Sequence, residues 1–197
     1  MFCFFDEVSK VGYYPIHKNG STTFTSLAKS LNWKTTEDME LLPPEYKIFA
    51  HVRDPIERHF AGTAEYILAD NLEYTLDDVN LQKLWVSALM DIHSYPITWV
   101  LRDIAKRIHW IPITKDFDST QATLDFLHQH SVDVNEIPKL YEGSSQSKRV
   151  RERLMSLHAS NDRYSSLTYF YEHDFKLYYK ALDEYLYKKS KWAELNQ

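Results

Sequence analysis

Pro15-Ile16-His17-Lys18-Asn19-Gly20-Ser21-Thr22-Thr23-Phe24 places a lysine, a glycine and three hydroxyl residues between an apolar run and a helical pattern. Those are the parts of an anion cradle. The first N–H groups of a helix have no intrahelical partner and sit at the positive end of its dipole. Gly20 lets the backbone approach a bound oxyanion closely, and Lys18 adds a full charge. Two other readings fit the same residues. Ser and Thr cap helices with no ligand at all. A nucleoside triphosphate loop is the other, but its pattern G-x-x-x-x-G-K-[ST] sets lysine after the second glycine, and here Lys18 precedes Gly20. Arg53 is a second anion-directed residue, standing where an apolar run meets a strong helix start. In that start Asp54 serves as N-cap, with Pro55 at the first position and Glu57 at the third.

The elements that must position these residues follow from periodicity. Val11 to Ile16, Lys47 to Val52 and Ile108 to Thr114 read as short buried strands. Thr22 to Leu31, with Phe24, Leu27, Ala28 and Leu31 at helical spacing, reads as a helix, as do 54–70, 76–89 and 120–130. Asn32 to Pro44 is polar and ends in Pro43-Pro44, which predicts a loop with at most a turn of helix. Ile97 to Arg107 leans helical, Ser131 to Ser147 is irregular, Lys148 to His158 is a basic helix, and Phe175 to Lys189 is a last, tyrosine-rich one. Strands alternating with helices predict an α/β fold with a small central parallel sheet flanked by helices. Ligands of such sheets bind at the carboxyl ends of strands, which is where the Lys18 and Arg53 turns fall.

Composition narrows the partners. The chain has 197 residues, 44% of them hydrophobic, enough for one domain with a real core. A formal net charge of −5 supplies no broad basic field for a nucleic acid polymer, so any anion site must be local. Cys3, the only cysteine, excludes an internal disulfide and a cysteine-based metal cluster, and fits a reducing cytoplasm. His128 and His130 stand two apart on a helix and so on different faces, which argues against zinc. MFCFFDEVSK has no secretion-signal pattern and no run reaches about 18 apolar residues, so the expectation is a soluble protein with no membrane partner.

The segment His51-Val52-Arg53-Asp54-Pro55-Ile56-Glu57-Arg58-His59-Phe60, taken with PIHKNGSTTF, resembles the sulfotransferases that use 3′-phosphoadenosine 5′-phosphosulfate (PAPS). The likeness is to the carbohydrate-type branch, with its PK-x-G-[ST] loop and VRDP-x-ER segment. It implies a P-loop-like sulfotransferase fold, with PAPS as cosubstrate and 3′-phosphoadenosine 5′-phosphate (PAP) as product. It also implies that Lys18, Asn19, Gly20, Ser21, Thr22 and Thr23 wrap the 5′-phosphosulfate while Arg53 holds the 3′-phosphate. The family usually adds a serine eight residues after that arginine. Ala61 stands there instead, and Thr63 is the nearby hydroxyl. Strong likeness covers Val11 to Gly62, about a quarter of the chain. His93-Ser94-Tyr95-Pro96 is similar to the branch's H-x-x-PQ segment, with Ile97 in place of glutamine. IPITKDF (111–117) is similar to a late strand and acidic turn, and YFYEHDFKLY (169–178) to a Y-x-x-DF-x-x-[FY] segment.

Sulfuryl transfer needs attacking and leaving oxygens in line and charge stabilisation on the leaving phosphate, much as phosphoryl transfer does. Lys18 suits the leaving-group side, and Arg53 can meet a phosphate with two parallel hydrogen bonds. No metal is called for. A general base is needed for the acceptor hydroxyl, and histidine suits neutral pH. His93 is the first candidate and His17 the next, with Glu57, His59 and Glu65 behind them and Asp116 as an orienting group. Lys148, Arg149, Arg151 and Arg153 form a basic cluster that is either a solvated helix face or a contact to the nucleotide, together with Ser144, Ser145 and Ser147. Abundant tyrosine and tryptophan favour a small phenolic or hydroxylated acceptor, a sugar hydroxyl next. The alternatives are a P-loop-type small-molecule or nucleotide kinase, and a catalytically degenerate PAP- or PAPS-binding module.

Overall fold

A computed structural model describes residues 2–69, 93–115, 118–138, 144–159 and 164–195. The helix expected over 76–89 and the orienting candidate Asp116 lie outside them. The described residues form two compact units, each discontinuous in sequence. The first is drawn from Met1–Arg53, Leu101–Tyr141 and Lys176–Gln197, the second from Asp54–Val100 and Glu142–Phe175.

The first unit is built on five strands: β1 (Cys3–Asp6), β2 (Val11–Tyr13), β3 (Lys34–Thr36), β4 (Lys47–Arg53) and β5 (Ile108–Ile113), in the order β3-β1-β2-β4-β5. β2, β4 and β5 run parallel, with Tyr13 opposite Phe49 and Arg53 opposite Ile113. β1 is antiparallel to both β2 and β3. The sheet is therefore mixed rather than parallel. The three parallel strands are those the apolar runs predict. β1 and β3 add an antiparallel edge that the polar stretch after residue 32 did not signal. β4 is an interior strand, buried from Ile48 to Val52, which is why KIFAHV carries no alternation.

Helix α1 (Ser21–Ser30) follows β2, and a later helix (Ser119–Gln129) follows β5. Phe24, Leu27 and Ala28 of the first join Ala122, Phe126 and Leu127 of the second over Phe4, Val11, Tyr13, Phe49 and Ile111 of the sheet. That cluster is the core of the first unit. Asp118 caps the later helix by accepting from Thr120 and Gln121 N–H at 3.0 Å each.

The second unit contains α2 (Pro55–Ala69) and α3 (Ile97–Val100 of a helix that ends at Leu101). With the helix at Ser119–Gln129 taken as α4, it also contains α5 (Ser145–Ala159), α6 (Tyr164–Phe170) and the first turn of α7 (Glu172–Leu195). α2 packs on α5 through Phe60, Ala64 and Ile67 against Val150 and Leu154, with Leu167 and Tyr171 closing the cluster. Ile97 to Arg107 is helical as expected but tightens to a 3-10 helix from Arg102. The basic helix begins at Ser145 rather than at Lys148. The Ser144 hydroxyl accepts the Ser147 N–H at 3.1 Å and caps it, so Ser147 stands in the first helical turn instead of in a loop.

Candidate functional site

The turn after β2 is held from below. Tyr14 N–H donates to Phe49 O at 2.9 Å, continuing the β2–β4 pairing one residue past the strand. Pro15 has no N–H to donate and ends it. Asn19 is 0% exposed. Its Nδ2 donates to the His51 carbonyl at 3.0 Å and its own N–H to Ile16 O at 3.1 Å. The resemblance implies that Asn19 touches the ligand. Through these bonds the side chain ties the turn to β4.

Gly20 is the N-cap of α1 at φ 72°, with no side-chain cap bond. The Ser/Thr cap reading of this turn is therefore not what forms. A left-handed glycine caps the helix, Phe24 N–H reaches back to Gly20 O at 3.3 Å, and the hydroxyls of Ser21 and Thr22 are left off the cap. Lys18 also has positive φ, 64°, a conformation that costs a lysine on the order of 1 kcal/mol. His17, Lys18, Gly20 and Ser21 are half-buried, Thr22 is exposed and Thr23 is buried.

His51 fixes the other side of α1. Its ring stacks on Phe24 at 3.7 Å between centroids, 15° apart, and is fully buried. Its Nε2 lies 2.9 Å from Thr123 Oγ1, which donates its only proton to Ser119 O at 2.7 Å. The proton in the His51–Thr123 bond must then come from Nε2, leaving Nδ1 bare, and Nδ1 has no partner among the described residues. Burial pulls the His51 pKa down to about 3, so the ring is neutral at physiological pH. Arg53 ends β4 two residues later, half-buried and opposite Ile113. Lys18 and Arg53 thus leave the same end of two neighbouring parallel strands, which lie about 4.8 Å apart. In the same unit burial pushes the Cys3 thiol up to about 12, which makes it unreactive.

No family model, curated protein or solved structure matches this chain. Among the described residues no group of three or more His, Cys, Asp and Glu could hold a metal ion. No helix among them is long and apolar enough to cross a membrane.

In the second unit Asp54 caps α2 as its sequence signals, accepting from Ile56 N–H at 2.9 Å and Glu57 N–H at 3.0 Å. Arg58 and Asp174 then form a buried ion pair at 3.3 Å, 2% and 0% exposed. Arg58 Nη1 also donates to His93 O at 3.3 Å and Nη2 to Tyr95 O at 2.6 Å. Asp174 receives Ile97 N–H at 2.7 Å, Thr98 N–H at 3.0 Å and the Thr98 hydroxyl at 2.8 Å. The Tyr171 hydroxyl donates to Ser94 O, so the 2.9 Å bond between it and His59 Nδ1 must be donated by the ring. Burial lowers the Arg58 pKa and the Asp174 charge partly restores it. His93-Ser94-Tyr95-Pro96 is thereby held by all three of its first carbonyls. Three segments that carried the family likeness, at 54–60, 93–96 and 171–175, are joined through Arg58, Tyr171 and Asp174. Of these, Arg58 and Asp174 stand 116 positions apart, a separation no spacing rule can bridge.

Other expected residues fall as follows. His93 is half-buried, with its backbone fixed by Arg58. Thr63 is 1% exposed on α2, and its Oγ1 has no partner among the described residues. Arg149, Lys148 and Arg153 are exposed on α5, and Ser147 and Arg151 are half-buried. His59 is buried against Tyr171.

Proposed function

We propose that this chain moves the sulfuryl group of PAPS to an acceptor hydroxyl and releases PAP, on a P-loop-like sulfotransferase fold in the cytoplasm. One observation carries the reading. β2 and β4 are adjacent and parallel, and each ends in a turn that opens a helix, the first with Lys18 and a left-handed Gly20, the second with Arg53. Such paired turns suit a ligand with two separated phosphate groups.

On this reading Lys18 approaches the oxygen between phosphorus and sulfur and stabilises charge on the departing phosphate. Helix N–H groups and the Ser21 and Thr22 hydroxyls hold the phosphosulfate oxygens, with Thr23 beneath them. Arg53 takes the 3′-phosphate. Asn19 braces the turn from below through its bond to the His51 carbonyl. A histidine accepts the acceptor's proton, and the acceptor is a small phenol or alcohol.

The reading that keeps PAP binding but lacks turnover has one observation in its favour. Thr63, the hydroxyl offered in place of the family serine, is buried in its own helix layer. Incubation with PAPS and a panel of phenols, sugars and aliphatic alcohols, with products read by mass, separates the two. Sulfate ester on any acceptor supports the enzyme; PAP binding with no product across the panel leaves the binding module.

A further inference from the structure

The amino ends of β4 and β5 carry a second gathering of basic groups. A groove of about 450 Å³ opens there, lined by Tyr46, Lys47, Arg107, His109, Phe126 and His130 among others. Its volume falls in the range of small-molecule sites. The seven residues of β4 separate it from Arg53 by about 20 Å. It is thus a different place from the Lys18 turn.

The charge is one-sided. In a chain of net charge −5, no carboxylate among the described residues lines this groove. Arg107 Nη2 is held by Leu42 O at 2.7 Å and Pro43 O at 3.1 Å, which fixes the guanidinium while Nη1 and Nε keep three further donors. Lys47 is exposed at the rim. Burial first, and then the Lys47 ammonium, pull the His130 pKa down. Asp125 takes the Gln121 amide at 2.7 Å, and together with Glu184 acts on Tyr185. Cations gathered without a counter-charge favour an anion between them.

The walls between these charges are rings. His109 stacks on Phe126 at 4.8 Å, 14° apart, and His130 meets the same ring edge-on at 4.7 Å. Tyr46 adds another ring to the lining. Cationic heads above an aromatic floor match one chemistry, a flat apolar body carrying a single negative group.

We propose that this groove binds a small aromatic carboxylate, at a site separate from the Lys18 and Arg53 turns. The test uses 2-naphthoate on the full chain, followed by amide chemical shifts. Saturable shifts at Lys47, Arg107 and Phe126 are expected. The neutral analogue 2-naphthalenemethanol should bind at least about fivefold more weakly, as should 2-naphthoate to Lys47→Glu and to His130→Glu. Lys18→Ala should leave the affinity unchanged. Equal affinity for the neutral analogue, no shifts at these amides up to millimolar probe, or a loss in Lys18→Ala as large as in Lys47→Glu would overturn the proposal. Lys47 is exposed, so its reversal tests the charge without touching the core.

Discussion

Replacing His51 by phenylalanine should remove much of the acid sensitivity of the first unit. Folded His51 titrates near 3 because its ring is buried against Phe24 with Nδ1 bare, whereas an unfolded histidine titrates near 6.5. The folded value is depressed, so the unfolded chain binds the extra proton. Stability is full above about pH 6.5 and falls as pH drops toward 3, with a limiting slope of about 1.4 kcal/mol per pH unit. Between pH 7 and pH 5 this one group should cost about 2 kcal/mol. His51→Phe keeps the ring stack and gives up only the bond to Thr123, whose proton already goes to Ser119 O. Urea midpoints at pH 7 and pH 5 measure the effect. The wild-type drop should exceed that of His51→Phe by about 2 kcal/mol. Equal drops would refute the neutral, buried His51.

Gly62→Ala should destabilise the second unit by about 1–3 kcal/mol, although alanine normally improves a helix interior by about 1 kcal/mol. The added Cβ would stand 2.7 Å from His93 O and 2.9 Å from Ser94 Oγ. A thermal melt at or above wild type would contradict that packing. Asp174→Ala should cost about 3–5 kcal/mol by leaving the Arg58 guanidinium buried without a counter-charge. Arg58→Met in the same chain should recover part of that loss. Denaturation of the two single variants and the double variant gives the coupling, and strict additivity would remove the ion pair as a unit. Lys18→Ala should retain the wild-type circular dichroism and lose about 100-fold or more in turnover with PAPS; an unchanged rate would take Lys18 out of the chemistry.

Local signals were legible wherever the deciding contact is local. Asp54-Pro55-Ile56-Glu57 predicts a capped helix start, and the cap bonds to Ile56 and Glu57 form as written. KIFAHV and IHWIPIT predict β4 and β5 to within a residue. β1 and β3 were not legible. Each is four residues or fewer, and β3 (KTT) owes its strand to pairing with Phe4 and Phe5 rather than to any pattern of its own. The family likeness points to Asn19 as a loop residue, and its bond across to the His51 carbonyl, 32 positions on, is not legible from spacing. The polar and proline residues of 131–147 predict an irregular stretch up to Ser147, and the Ser144 cap moves the helix start back to Ser145. Arg58, Tyr171 and Asp174 were visible as pieces of motifs but not as a network. Charge types alone do not say which buried cation meets which buried acid.

The first unit shows a division of labour in its turn. Asn19, His51 and Phe24 spend their polar and ring contacts inward, and the residues they brace, Lys18, Gly20, Ser21 and Thr22, face partly outward. Rigid support beneath a short exposed arc is what electrostatic stabilisation of a developing charge requires, since the dipoles must already point where charge will appear.

Calorimetric titration of PAP into the purified chain tests the central claim most directly. The account predicts saturable binding of one molecule per chain, weakened at least about tenfold in Arg53→Ala and lost progressively with added salt. Adenosine, which lacks both phosphates, should bind far more weakly. A folded protein that takes up no PAP at millimolar concentration, or that binds adenosine as tightly as PAP, would contradict it.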